Sequence, residues 1–177
     1  MDHMKKVISK TAVLAVLGCM LLLCSGVTAE EAEWTDAIVE GKFSFMLPPD
    51  WTYSQVDTTD GKADTLINSN NPNNTYVLLL TENEIEEGTE ENVAKIGLGG
   101  FMTSQGITAI KDYDVMYSEE DNVASVIGAD TQGSIYSVVF LPIEKKSLLL
   151  MGNYNSEAQA KDEISTLIEI VKTATLI

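Results

Sequence analysis

Two uninterrupted apolar runs, Tyr76-Val77-Leu78-Leu79-Leu80 and, after Ser147, Leu148-Leu149-Leu150-Met151, limit what this chain can fold into. Successive side chains of a strand point to opposite sides, so a short run without polar alternation reads as a strand covered on both faces. The fold therefore needs a sheet with a layer above it and a layer below it.

Other segments supply neighbours for these strands. Phe43–Leu47 alternates apolar and small residues and reads as a half-buried strand stopped by Pro48-Pro49, with Trp51-Thr52-Tyr53 resuming it. Turn chemistry in 57–62 and an Asn-rich stretch, 68–74, bracket a short strand, Thr65-Leu66-Ile67. Residues 136–141, ending just before Pro142 and the Glu144-Lys145-Lys146 turn, form a hairpin with the second apolar run, and two further strands fit 108–117 and 122–129. Two helices punctuate the strands. The first starts near Thr89, with Glu90 and Glu91 at the positive end of the helix dipole and Val93, Ile96 and Phe101 on one face. Its glycines, Gly97, Gly99 and Gly100, weaken it by about 1 kcal/mol each relative to Ala, and mark either close approach to the sheet or an early break. In the second helix, Ser156-Glu-Ala-Gln159 is a capping box, and Ala160, Ile164, Leu167, Ile168 and Val171 make an apolar stripe that should lie on the sheet. Seven or eight strands joined mostly by hairpins, plus two helices, make an α+β domain with helices packed on an antiparallel sheet.

The opening Phe43-Ser-Phe-Met-Leu-Pro-Pro-Asp-Trp51, the mid-chain helix, and the last two apolar strands running into a C-terminal helix together resemble the Mog1/PsbP-like family over about residues 40–176. The resemblance implies an α/β/α sandwich around an antiparallel sheet. It also implies an accessory protein that acts by binding a partner. No functional residue of the family can be matched to a position of this sequence.

The first 29 residues differ from the rest. A basic start with Lys5, Lys6 and Lys10, an apolar stretch up to Cys24, and small residues Val27 and Ala29 at −3 and −1 are the parts of a secretory signal, with the cut between Ala29 and Glu30. The apolar run falls short of the roughly 20 residues that span a bilayer, so an uncleaved anchor ranks second. A lipid on Cys24 is a minority reading, favoured over Cys19 because Ser25-Gly-Val-Thr-Ala resembles a tether. Residues 30–40 read as an acidic, flexible lead in which Trp34, Ile38 and Val39 are able to dock on the body, and 41–177 as a single domain.

Charge and side-chain chemistry then narrow the function. Removing three Lys together with Asp2 moves the formal charge from −16 to −18 over the remaining 148 residues. That charge repels nucleic acid and anionic membrane surfaces, and Lys145-Lys146 is the largest basic patch. The only His, His3, and both Cys, Cys19 and Cys24, lie in the discarded segment, and the chain has no Arg, so imidazole, thiol and His/Cys metal chemistry are unavailable to the exported body.

The remaining motifs point the same way. Asp57, Asp60 and Asp64 around Gly61 suggest a calcium loop, but Val56 and Ile67 then occupy its first and last ligand positions, so a solvated turn is expected. Glu82, Glu84, Glu86, Glu87, Glu90 and Glu91 suit loose cation binding or, more simply, a solvated connection. There is no Ser-x-x-Lys, no Gly-x-Ser-x-Gly and no phosphate loop, and no cofactor is expected. Trp51 and Tyr53 share a strand face. Exposed, they would make a sugar platform or partner anchor; buried, as expected for Trp51, they pack under the C-terminal helix.

The sequence thus points to an exported, non-enzymatic domain that binds another envelope or secreted protein. A carbohydrate or small-ligand binder using Trp51 and Tyr53 is the alternative, and a hydrolase built on paired carboxylates the third reading. Intact-mass measurement on protein recovered from the culture or envelope fraction should show a chain beginning at Glu30; material that retains Met4 would overturn the export signal.

Overall fold

The computed structural model describes residues 33–177 apart from 40, 41, 60, 83–89 and 112. Strands β1 (Thr35–Val39) and β2 (Phe43–Leu47) pair antiparallel with Val39 opposite Phe43, and the C-terminal β11 (Thr175–Leu176) joins the other side of β2. The main sheet has eight strands: β3 (Trp51–Thr58), β4 (Gly61–Asn68), β5 (Thr75–Glu82), β6 (Thr108–Ala109), β7 (Met116–Ser118), β8 (Val123–Ala129), β9 (Ile135–Ile143) and β10 (Lys146–Tyr154). Its order is β3-β4-β5-β10-β9-β8-β6, with β7 also on β8, and every pairing is antiparallel. Helices α1 (Glu90–Ser104) and α2 (Glu157–Lys172) pack on opposite sides of it.

The two apolar runs identified in the sequence lie side by side as β5 and β10, with Leu148 opposite Leu80 and Leu150 opposite Leu78. Strand alternation divides the side chains of β10 between two cores. Leu148, Leu150 and Tyr154 face α2 and the small sheet, in a core with Phe43, Phe45, Trp51, Tyr76 and Leu167. Leu149 faces the other way, in a core with Ala94, Leu98 and Met102 of α1 and with Val126, Val138 and Phe140. Cover on both faces holds for β10, whereas among the described residues β5 is covered only on the α2 side and leaves Leu79 38% exposed, because α1 does not reach it. Helices on opposite sides of the sheet still give the expected α/β/α arrangement.

Each helix is held by its sequence pattern. The Ser156 hydroxyl accepts from the Gln159 amide at 3.3 Å and caps α2, but Gln159 Oε1 has no hydrogen-bond partner, so only half of the capping box forms. Burial of Leu167, Ile170 and Val171 holds α2 down, each contributing about 1.5–3 kcal/mol. At its far end the Thr173 hydroxyl donates to the Ile170 carbonyl at 2.7 Å and accepts from the Met46 amide at 2.8 Å, tying the helix terminus to β2.

The structure corrects several expectations. Residues 35–39 are a strand and not part of a flexible lead, because Ala37 and Val39 alternate into the core while β2 offers a complete ladder. The single strand expected over 108–117 is two short ones, β6 and β7, and the chain between them turns with the Ile110 amide bonded to the Ile127 carbonyl. Pro142 lies inside β9; it is beyond the last β8–β9 pair, Ala124 with Phe140, where one side of β9 has no strand to receive a donor. The glycines do not break α1. A Cβ on Gly97 would stand 2.5 Å from the Phe140 ring, so this glycine provides close approach, whereas Gly99 has nothing within 4 Å.

That contrast predicts opposite signs for two similar substitutions. Gly99→Ala should raise stability by up to about 1 kcal/mol through helix propensity, while Gly97→Ala should lower it by about 1–3 kcal/mol through overpacking; urea denaturation midpoints measure both.

Candidate functional site

Two features stand out: a buried polar network at one end of the sheet and an uncovered, uncharged patch on its surface. The network centres on Glu163, which falls on the buried stripe of α2 between Ala160 and Leu167 and is 8% exposed. Its Oε2 accepts from the Tyr76 hydroxyl, and its Oε1 accepts from the side-chain amides of Asn71 and, at 3.4 Å, Asn68. Asn74 in turn donates to the Tyr76 oxygen at 3.2 Å. A buried carboxylate is tolerated here because charge-assisted hydrogen bonds replace its lost water.

The network continues to the surface through the Asn-rich turn. Asn68 accepts from the Asn70 amide at 3.0 Å, Asn70 donates to the Asp50 carboxylate at 2.8 Å, and the Ser69 amide and hydroxyl both donate to the Asp50 carbonyl. The helix, the 68–74 turn and the Pro48-Pro49-Asp50 turn are thereby linked into one rim. Burial, aided by the hydrogen bond to Glu163, raises the Tyr76 pKa well above the ordinary tyrosine value. Tyr154 lies beside Tyr76, with ring centroids 6.1 Å apart, and its own hydroxyl is buried without a hydrogen-bond partner. Burial likewise keeps that phenol neutral, and the Glu163 charge acts in the same direction. The three donors to Glu163, from Tyr76, Asn71 and Asn68, are all neutral, an arrangement suited to clamping.

The surface patch is the other side of β3–β5. Helix α1 covers β8, β9 and part of β10, and no described element packs over β3, β4 and β5 on that side. The cross-strand register decides which residues occupy it. On β3 they are Thr52, Ser54, Val56 and Thr58, opposite Ile67, Thr65, Ala63 and Gly61 of β4. On β5 they are Thr75, Val77, Leu79 and Thr81, with Val77 opposite Thr65. None of these is charged. The described charged side chains of these strands, Asp57, Lys62 and Asp64, alternate onto the opposite face. Val56 and Ile67 are each 47% exposed and Leu79 38%. The Thr65 hydroxyl is turned inward onto the Ser54 carbonyl at 2.9 Å, which withdraws a polar group from the patch.

The residues singled out in the sequence divide between these features. Trp51 is buried against Tyr76, centroids 4.5 Å apart, so it packs in the core and presents no platform for a sugar. Tyr53 is half-buried on the same face, edge-on to Phe45, with its hydroxyl donating to Asp64 at 2.6 Å. Asp64 also accepts from Gln55 at 3.0 Å; Asp60 lies outside the described residues. Glu91 pairs with Lys95 at 2.6 Å, whereas Glu84, Glu86 and Glu87, and the side chains of Glu82 and Glu90, lie outside the description. So do Cys19, Cys24, Ala29 and Glu30. Among the described residues no helix is long and apolar enough to cross a membrane, and no group of three or more His, Cys, Asp or Glu is gathered to hold a metal ion.

Glu163 and the Val56–Ile67–Leu79 patch were not singled out in the sequence. An acidic residue inside an apolar helical stripe was a usable signal for the first. The second needed the register of three strands.

Comparison with solved structures follows the same architecture. The Saccharomyces cerevisiae Ran-binding protein Mog1p matches with a TM-score of 0.54 at 10% identity, over 82% of this chain and 96% of that one. The fold is Mog1/PsbP-like. The solution structure of cyanobacterial PsbP (CyanoP) from Synechocystis matches with a TM-score of 0.47 at 13% identity, over 87% of this chain and 97% of that one. No protein-family model and no curated protein matches the sequence.

In this Mog1/PsbP-like domain, Glu163→Ala should lower stability by about 2–4 kcal/mol, because the buried Tyr76 hydroxyl and Asn71 amide lose their acceptor. Glu163→Gln, which keeps one acceptor oxygen, should lose less. Equilibrium urea unfolding of the two variants beside the parent checks both.

Proposed function

We propose that the chain is an exported, non-enzymatic accessory domain that binds another envelope or secreted protein through the outer face of β3–β5. The observation that carries this reading is a patch with exposed Val56, Ile67 and Leu79 and no charge, on a chain of formal charge −16. Water favours charged side chains at exposed positions, and contiguous apolar surface on a soluble domain marks a contact.

Three further points support it. Removal of the first 29 residues leaves no His, Cys or Arg with which to break bonds. Among the described residues the best-buried carboxylate, Glu163, is taken up by Tyr76, Asn71 and Asn68 in holding α2 to the sheet. Mog1p, whose fold this chain shares, is a Ran-binding protein; what carries over is binding of a protein by this architecture, with a different partner outside the cytosol. The carbohydrate reading loses its basis with the burial of Trp51, and surplus negative charge disfavours nucleic acid and anionic lipid as partners.

A photoreactive residue at position 79, introduced in producing cells, should cross-link a distinct envelope or secreted protein. The same residue at position 96, exposed on α1, should not. Val56→Glu should reduce the position-79 product at least about tenfold, the effect of losing one apolar anchor. Equal cross-linking from both positions, or none from position 79, would overturn this assignment of the surface.

A further inference from the structure

We infer that the exported chain is glycosylated on the side-chain amide of Asn73. The inference rests on reading the chain as exported, because asparagine-linked sugars belong to the surface loops of secreted proteins. Sequence is the first argument. Transfer to asparagine needs a Ser or Thr two positions on, with any residue but Pro between. Of the ten asparagines in the chain only Asn73, in Asn73-Asn74-Thr75, meets this condition.

Structure is the second argument. The other four asparagines of the 68–74 turn are occupied: Asn68 and Asn71 donate to Glu163, Asn70 to Asp50, and Asn74 to the Tyr76 oxygen. Asn73 is exposed, and its side chain makes no hydrogen bond among the described residues. The Asn74 amide donates to the Asn71 carbonyl at 3.0 Å, closing a turn whose two central positions are Pro72 and Asn73. A bulky, hydrophilic group is accommodated at such a tip without displacing packed side chains, whereas a sugar on Asn68, Asn71 or Asn74 would break the Glu163 network. Thr75 is exposed as well, so the accepting amide and the hydroxyl that the motif requires are both reachable from solvent.

The donor is a lipid-linked glycosyl phosphate. Asn73 Nδ2 bonds to C1 of the first sugar, the C1–O bond breaks with its electron pair leaving on the lipid phosphate, and the amide nitrogen gives up one proton. Thr75 is also the first outward residue of β5, so the sugar flanks the outer face of β3–β5 at the end where β5 begins. Leu79, four residues farther along that strand, stays open to a partner.

Mass spectrometry of protein recovered from the culture or envelope fraction of its native host tests this. The chain should be heavier than the Glu30–Ile177 polypeptide by whole sugar residues, and fragmentation of the Ala63–Lys95 peptide released by a lysine-specific protease should place the added mass on Asn73. Asn73→Gln and Thr75→Ala should each abolish the added mass, Thr75→Ser should retain it, and Asn92→Gln, at an exposed asparagine without the motif, should leave it unchanged. Circular dichroism of the Asn73→Gln protein should match that of the parent, since Asn73 takes no part in the buried network. An unmodified chain that begins at Glu30 would sink the sugar and leave export standing. A chain that keeps Met4 and carries no sugar would overturn both. Added mass that survives Asn73→Gln or Thr75→Ala would defeat the assignment to this site.

Discussion

The structure depends on burying both faces of β10. Its Leu148 and Leu150 belong to one core and Leu149 to the other, so neither layer can be lost without exposing leucine. Each buried leucine contributes about 1.5–3 kcal/mol, and this strand therefore couples the two layers thermodynamically. Helix α1 and helix α2 never touch the same face of the sheet, yet both are needed to cover alternate residues of one strand. The hairpin register between β9 and β10, with Leu149 opposite Phe140, extends the same division to the next strand.

Glu163 supplies what apolar packing lacks, which is direction. Hydrophobic burial would allow α2 to slide or rotate over the sheet, since Leu167, Ile170 and Val171 make non-directional contacts. A carboxylate with fixed donors from Tyr76 and Asn71 has few equivalent positions. From Asn68 the ties run on to Asn70 and Asp50, so the rigid end of the sheet and the aromatic core around Trp51 are positioned together.

Charge is segregated by the two-residue period of the strands. Among the described side chains of β3, β4 and β5, Asp57, Lys62 and Asp64 fall on the side that faces the small sheet and α2, with Asp64 held there by Tyr53 and Gln55. The side left without a helix carries Thr, Ser, Ala, Val, Ile and Leu. This inverts the usual polarity of a sheet with one open face, where the solvent side is the charged one. The inversion is intelligible if the open side spends part of its time against another surface.

Much of this was legible in the sequence, and the rest was hidden for identifiable reasons. The doubly covered strand β10, the apolar stripe and Ser156 cap of α2, the Pro-Pro turn and the antiparallel α+β class follow from local periodicity, which depends only on neighbouring residues. The same periodicity implied cover on both faces of β5, one of which the structure leaves open. Tertiary structure alone decided that 35–39 would pair with β2, that Gly97 would serve Phe140 and not end the helix, and that Trp51 would lie against Tyr76. It also decided the meeting of Glu163 with Asn71 and Tyr76, which are 92 and 87 residues away along the chain. The sequence determined which residues alternate along each strand. Which side of that alternation remained uncovered depended on where α1 came to rest, because a helix long enough to cover two or three strands leaves the remainder of an eight-stranded sheet open.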